Sequence, residues 1–316
     1  MRHRTTHNNT AALNADSAVV YTAREILTLD ADETVATAVA VAGDRILATG
    51  SLDEVKAELG AQSYVVDDTF AEQVIVPGFI GQHDHPLLAG ITMTSTVIAI
   101  EDWVLPDGTA EAATDHADYI RRLTAAEAGM GDPDELLLTW GYHHYFHGPL
   151  KQKELDAISS ERPIIVWHRS AHEMYLNSAA ERKYGVTKEW HDSLSDSARE
   201  QSDFENGHYW EQGWFAVGEL VIADVASPER IKAGLEFVER YFHTNGITLG
   251  AEPGGLLSKD LQDAQNAVMG AGKSPFRYYF IADGKSLVGA YPDDQVIPQT
   301  EALLDWGEGM TAFLPK

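Results

Sequence analysis

The stretch that most constrains this chain is Val74-Ile75-Val76-Pro77-Gly78-Phe79-Ile80-Gly81-Gln82-His83-Asp84-His85-Pro86, an apolar run that stops at two histidines one residue apart. Side chains alternate between faces along a strand, so a strand carried through the motif sets His83 and His85 on one side, about 7 Å apart. Two imidazoles so placed can converge on one ion. A pair of strand-end histidines satisfied by water has the same spacing, so what surrounds the pair has to decide. Neutral imidazole suits zinc, iron, nickel and copper, and a catalytic ion needs at least one more protein ligand and a position left open for water. Zinc is the default divalent metal, with iron or manganese as alternatives.

The chain contains no cysteine, so any metal must be held by nitrogen and oxygen, and neither a disulfide framework nor a thiolate site is available. This agrees with a cytoplasmic location. A formal net charge of −26 repels phosphate backbones, which argues against a nucleic-acid partner. No apolar run approaches the ~20 residues of a membrane span, so no membrane partner is expected. The first 16 residues lack the apolar middle of a signal peptide and read as a flexible polar leader.

Residues 17–76 read as a small β module of short strands: Val19 to Thr22, Glu25 to Leu29, Thr37 to Val41, Arg45 to Thr49 and Tyr64 to Asp67. Gly43-Asp44 supplies a hairpin turn, and Ser51 with Glu54 three positions later makes a capping box for a helix to Leu59. Beyond the His-x-His motif the pattern predicts helices over Ala110 to Ala128, Lys151 to Ser159, Asn177 to Tyr184, Ser227 to His243 and Lys259 to Met269. Strands are predicted over Leu136 to Tyr142, Pro163 to His168, from Gly246 and over Arg277 to Ile281. Thr187 to Glu211 has no period and reads as an irregular loop, a candidate lid. Alternating strands and helices indicate an α/β fold with a parallel sheet or barrel.

Three blocks carry a family resemblance: Pro77-Gly78-Phe79-Ile80 running into His83, His85 and Pro86; Arg162-Pro163 through His168-Arg169-Ser170-Ala171-His172 to Asn177-Ser178-Ala179-Ala180; and Gly246-Ile247-Thr248. In this order and spacing the chain resembles the amidohydrolase-3 group of the amidohydrolase superfamily, over about residues 18–316. The resemblance implies a (β/α)8 TIM-like barrel after a β-sandwich module, with His83 and His85 as metal ligands on the first barrel strand and Gly246-Ile247-Thr248 on the second. It further implies a large insertion over about residues 91–227 whose Asn-Ser-Ala block and upstream histidine roof the substrate pocket. An acidic residue usual after Pro-Gly-Phe-Ile is here Gly81, so Asp84 or a more distant group would replace it. About three barrel strands can be counted, whereas a whole barrel takes roughly 250 residues. The expectation is therefore a partial barrel over residues 77–316, an N-terminal fragment whose later metal ligands lie elsewhere.

His172 is expected to contact substrate in preference to His168, because it matches the resembling block; a packing role is the alternative. Glu252, after an apolar strand, is expected to touch substrate or tune the metal, and otherwise caps the next helix. Trp140, Tyr142 and Trp167 line a core or a pocket wall, with Tyr142 grouped with His172 and Glu252 as a substrate contact. His143, His144 and His147 suggest a second metal site, against which adjacent histidines on a strand end point apart. The reading that follows is a metal-dependent hydrolase of amide-like C–N bonds acting on a small molecule. The alternatives are a non-catalytic fragment, a small-molecule-binding module, or a metal-free barrel that binds sugar or peptide. Open strand edges also invite a further copy of the chain as a homo-oligomer.

Overall fold

The structure is a computed structural model that describes residues 17–253, 259–270, 274–281 and 284–306. The leader expected over residues 1–16 and the turn at Gly254-Gly255 lie outside the described residues. The chain divides into two compact units, Met1–Gly78 and Phe79–Lys316.

In the first unit a five-stranded sheet is ordered Arg45–Gly50, Val35–Ala42, Ala18–Leu27 and Tyr64–Asp67, with Val74–Ile75 pairing the far half of Ala18–Leu27. The two strands expected at Val19 and Glu25 are one, because a bulge between Thr22 and Ile26 absorbs the irregularity without ending the pairing. The helix Leu52–Leu59 has its capping box: Glu54 N donates to Ser51 Oγ, and Ser51 N donates to Glu54 Oε2 at 2.8 Å. Val55 and Leu59 of this helix bury against Ala18, Val20, Ala38 and Ala40 on one face of the sheet. Among the described residues the unit is one sheet with a helix, not the two packed sheets of a sandwich. A second cluster gathers Ala23, Ile26, Ala36 and Val39 with Phe70 and Ile75.

The second unit contains two main sheets. Phe79–Gly81, Ile247–Pro253 and Arg277–Ile281 form a three-stranded parallel sheet with Ile247–Pro253 in the centre. Parallel neighbours require crossovers, and the connection to Arg277–Ile281 contains the helix Lys259–Met269. The helix Pro228–Thr244, capped by Ser227, buries Ile231, Leu235, Val238 and Phe242 with Tyr278 and Phe280 of the sheet. It crosses the helix Pro86–Met93 where Gly90 meets Gly234, so closely that a Cβ at either position would come within 2.8 Å of the other's backbone.

A six-stranded mixed sheet is ordered Ser202–Asp203, His208–Trp210, Glu173–Leu176, Ile164–His168, Leu137–Tyr142 and Thr96–Val97. Its central strands are apolar on both faces. Leu138, Ile165 and Trp167 face the helix Gln212–Val225, while Leu137, Ile164 and Val166 face the helices His116–Ala128 and Gln152–Ile158. That is a three-layer arrangement, and it explains the unbroken apolar runs in these strands.

Two expectations change here. The helix predicted from Ala110 begins at His116, because Gly108–Ala110 pairs as a hairpin with Trp103–Leu105 and Asp115 caps the helix by accepting from Asp118 N. The segment from Thr187 to Glu211 is not an irregular loop. It holds the helices Lys188–Ser193 and Asp196–Glu200 and two strands of the sheet, with Thr187 and Ser195 as N-caps. Elements of five or six residues are too short to display a period.

Candidate metal centre

The strand Phe79–Gly81 ends before the histidines, so the alternation argument does not apply to them. They sit on the turn between this strand and the helix Pro86–Met93, where His85 is the N-cap and Pro86 the first helical residue. The turn is anchored to the central strand, as Asp84 N donates to Ala251 O at 2.8 Å. The two imidazoles nevertheless converge, with His83 Nε2 3.1 Å from His85 Nε2 and the rings edge-on at 80°.

Glu252, on the central strand, is 3% exposed, and its Oε1 lies 2.5 Å from His85 Nδ1. Burial pushes the Glu252 carboxyl above its ordinary range, and the His85 imidazole pulls it back. A carboxylate accepting from Nδ1–H fixes the tautomer of His85, so that the Nε2 lone pair faces His83. Two nitrogens on a tetrahedral zinc at about 2.0–2.1 Å are about 3.3 Å apart, close to the observed separation. The donor set therefore fits a divalent ion of the zinc class.

Asp84 fills the place that Gly81 leaves. A Cβ at residue 81 would lie 2.1 Å from Asp84 Oδ2, and one at Gly250 would lie 3.3 Å from the same atom. This Oδ2 is buried without a hydrogen-bond partner, and burial raises the Asp84 carboxyl. Tyr278 donates its hydroxyl to the Asp84 carbonyl at 3.2 Å. Asp84 thus takes the volume beside Gly81, while the carboxylate that holds His85 is Glu252.

The structure places His83, His85 and Glu252 together, and neither His172 nor Tyr142 makes a hydrogen bond or ring contact with them among the described residues. His172 is exposed beside Glu211, 3.3 Å away, and leads into the strand Glu173–Leu176, not into a helix. Tyr142 is 1% exposed and spends its hydroxyl on Gly148 O at 2.6 Å, within the core. Asn177 is fully buried and tied to Ile164, Ala180, Ser159 and Arg162, so it braces a strand to a helix. Of His168 and His172, the one carried into the interior is His168, at 3% exposure, with burial holding its pKa down at about 4. Its position at the end of the apolar run Ile164-Ile165-Val166-Trp167 was the available signal.

No family model matches the chain, and no curated protein matches it. Among solved structures it is similar to an uncharacterized metal-dependent hydrolase from Pyrococcus horikoshii OT3, with a TM-score of 0.59 and 15% identity over 85% of this chain and 49% of that one. It is also similar to an uncharacterized metal-dependent hydrolase from Pyrococcus furiosus, with a TM-score of 0.57 and 13% identity over 85% of this chain and 51% of the other. The chain spans about half the length of these structural neighbours. At such identity the likeness is one of fold: this chain has the mixed α/β fold of part of a metal-dependent hydrolase.

Proposed function

We propose that the chain belongs to a metal-dependent amidohydrolase of the amidohydrolase-3 type, with His83 and His85 as two ligands of a divalent ion, zinc by default. The observation that carries this reading is Glu252 holding His85 Nδ1, which turns Nε2 toward His83 at 3.1 Å. In this reading Phe79–Gly81, Ile247–Pro253 and Arg277–Ile281 are the first three strands of a barrel. When bound, the ion supplies Lewis-acid chemistry, polarising an amide carbonyl and lowering the pKa of water.

The chain's own residues do the rest. Glu252, 3% exposed, orients His85. Asp84, its carboxyl raised by burial and its Oδ2 closed off against Gly81 and Gly250, packs the turn that carries the two histidines. The substrate class proposed is a small molecule with an amide-like C–N bond.

Elemental analysis of the purified protein tests this. Replacing His83 and His85 together by alanine is expected to lower the metal content by about one equivalent per chain, and Glu252→Gln to weaken that equivalent about 10–100-fold. Undiminished metal in the double variant would sink the reading. A screen of N-acyl and N-formyl amines with the full-length protein identifies the bond cleaved.

A further inference from the structure

A second group of imidazoles stands apart from His83 and His85, on the six-stranded sheet. The parallel neighbours Leu137–Tyr142 and Ile164–His168 end side by side, with Tyr142 paired to His168. The first strand runs on into His143 and His144, and the second ends on His168. One ring nitrogen from each of His143, His144 and His168 lies within 4.8 Å of the other two. Their ring centroids are 5.0, 5.2 and 5.5 Å apart.

Consecutive histidines on a regular strand would point apart, but these two do not occupy one. Gly141, at φ 107°, and the register shift between Trp140 and Tyr142 turn the chain out of the sheet. His143 then caps the short helix His144–His147, and His144 is its first residue. A Cβ at Gly141 would lie 2.9 Å from Ile98 O and from Ala99 Cβ, so the turn is held by close packing.

His147, from the same turn, makes the contrast. It is fully buried with both nitrogens used, Nδ1 accepting from His143 N at 3.0 Å and Nε2 lying 2.7 Å from Ala113 O. His168 is equally buried, yet only Nδ1 is engaged, by Ser170 Oγ at 2.8 Å and Ser170 N at 3.1 Å. Its Nε2 has no partner. A buried nitrogen without a partner calls for a ligand. Ser170 N donates to Nδ1, so Nε2 carries the proton when no ligand is bound; an ion at Nε2 would shift that proton to Nδ1, where Ser170 Oγ accepts it.

The surroundings favour a cation. Glu173 Oε1 is 3.8 Å from His168 Nδ1, while the nearby Arg169 is neutralised by a two-pronged pair with Glu101 at 2.8 and 2.9 Å. We propose that His143, His144 and His168 form a second metal site for a divalent first-row ion of the zinc, copper and nickel class, independent of His83 and His85. Three imidazoles without a carboxylate in the ligand set exclude magnesium and calcium, which take oxygen, and leave a coordination position for water or an incoming group.

Zinc titration of the metal-free 316-residue chain, read by isothermal calorimetry and by elemental analysis after dialysis, provides the test. Five proteins are compared: the unaltered chain, H144A, H168Q, the H83A/H85A double variant, and the H83A/H85A/H144A triple variant. His144 is exposed, so its removal leaves the core intact. H144A is expected to lose one zinc equivalent or to weaken it at least 10-fold, and H83A/H85A to keep that equivalent. H168Q should behave as H144A if it folds. Cobalt(II) bound to the H83A/H85A chain should show visible d–d absorption that the triple variant lacks, and excess magnesium should displace neither metal. An H144A titration superimposable on that of the unaltered chain, or an H83A/H85A chain that binds no zinc, would overturn the second site. Because the two histidine groups are varied separately, loss of one reading leaves the other standing.

Discussion

Asp84 shows how one side chain fills the space that a glycine leaves three positions earlier. Its carboxylate occupies the volume that any side chain at residue 81 would need, 2.1 Å from an added Cβ. Gly81→Ala should therefore displace Asp84 and destabilise by about 1–3 kcal/mol, as overpacking does. In an Asp84→Ala background the same change should cost at least about 1 kcal/mol less, measured as a double-mutant cycle in urea. Equal costs in the two backgrounds would show that the volumes do not compete. A second residue-scale case is Glu173, whose Oε2 is 2.9 Å from His208 Nε2, a bond that holds its carboxyl down at about 2 from an ordinary 4.5. A depressed carboxyl stabilises the fold above its unfolded pKa and loses that contribution as pH falls through the folded value, roughly 3 kcal/mol here. The stability gap between the unaltered chain and Glu173→Gln should thus narrow as pH drops from about 5 towards 2. A gap independent of pH would exclude this role. The spacing of His83 and His85 was readable as a pair, but their route together was not: it depends on a helix N-terminus and on Glu252, 167 residues away. Burial separates His168 from His172, and sequence shows a motif position but not a depth.

Among the elements, the crossing of Pro86–Met93 with Pro228–Thr244 depends on two missing side chains. Gly90→Ala or Gly234→Ala would push a methyl to 2.8 Å from rigid backbone, which cannot yield as a flexible side chain can. Each should cost upwards of about 2 kcal/mol by thermal or urea unfolding. Gly218, within the helix Gln212–Val225, has nothing within 4 Å of an added Cβ, so Gly218→Ala should stabilise by about 0.5–1 kcal/mol through helix propensity. A destabilised Gly218→Ala, or a neutral pair at 90 and 234, would contradict this account. Elements with local instructions were legible in advance: the Ser51–Glu54 capping box, the Gly43-Asp44 hairpin, and the helix after Ser227-Pro228. Those set by partners were not. Gly108–Ala110 is a strand only because Trp103–Leu105 lies beside it, and Ser202–Asp203 only because His208–Trp210 does.

At the scale of the whole chain, the three-stranded parallel sheet has two edges that pair with no strand among the described residues. Ile80 is 61% exposed on one edge strand and Ile281 is 44% exposed on the other, with Phe79 at 59%. Edges of this kind recruit strands. Burying such a side chain fully is worth about 1.5–3 kcal/mol, whereas association of two chains costs about 4–15 kcal/mol in lost freedom. Three partly exposed residues on short strands therefore support only weak pairing between copies, in the micromolar range or weaker. A net charge of −26 on each copy opposes even that, but the repulsion between surfaces is screened beyond about 8–10 Å at 0.10–0.15 M salt. The purified 316-residue chain should consequently be monomeric at low salt and associate reversibly as salt rises towards about 0.5 M, a trend opposite to that of association driven by ion pairs. Sedimentation velocity over about 1–100 μM would show it, and Ile80→Lys with Ile281→Lys should abolish the salt-dependent species. A chain that stays monomeric at about 100 μM and high salt, or an association indifferent to the two lysines, would mean that these edges are protected by other parts of the molecule.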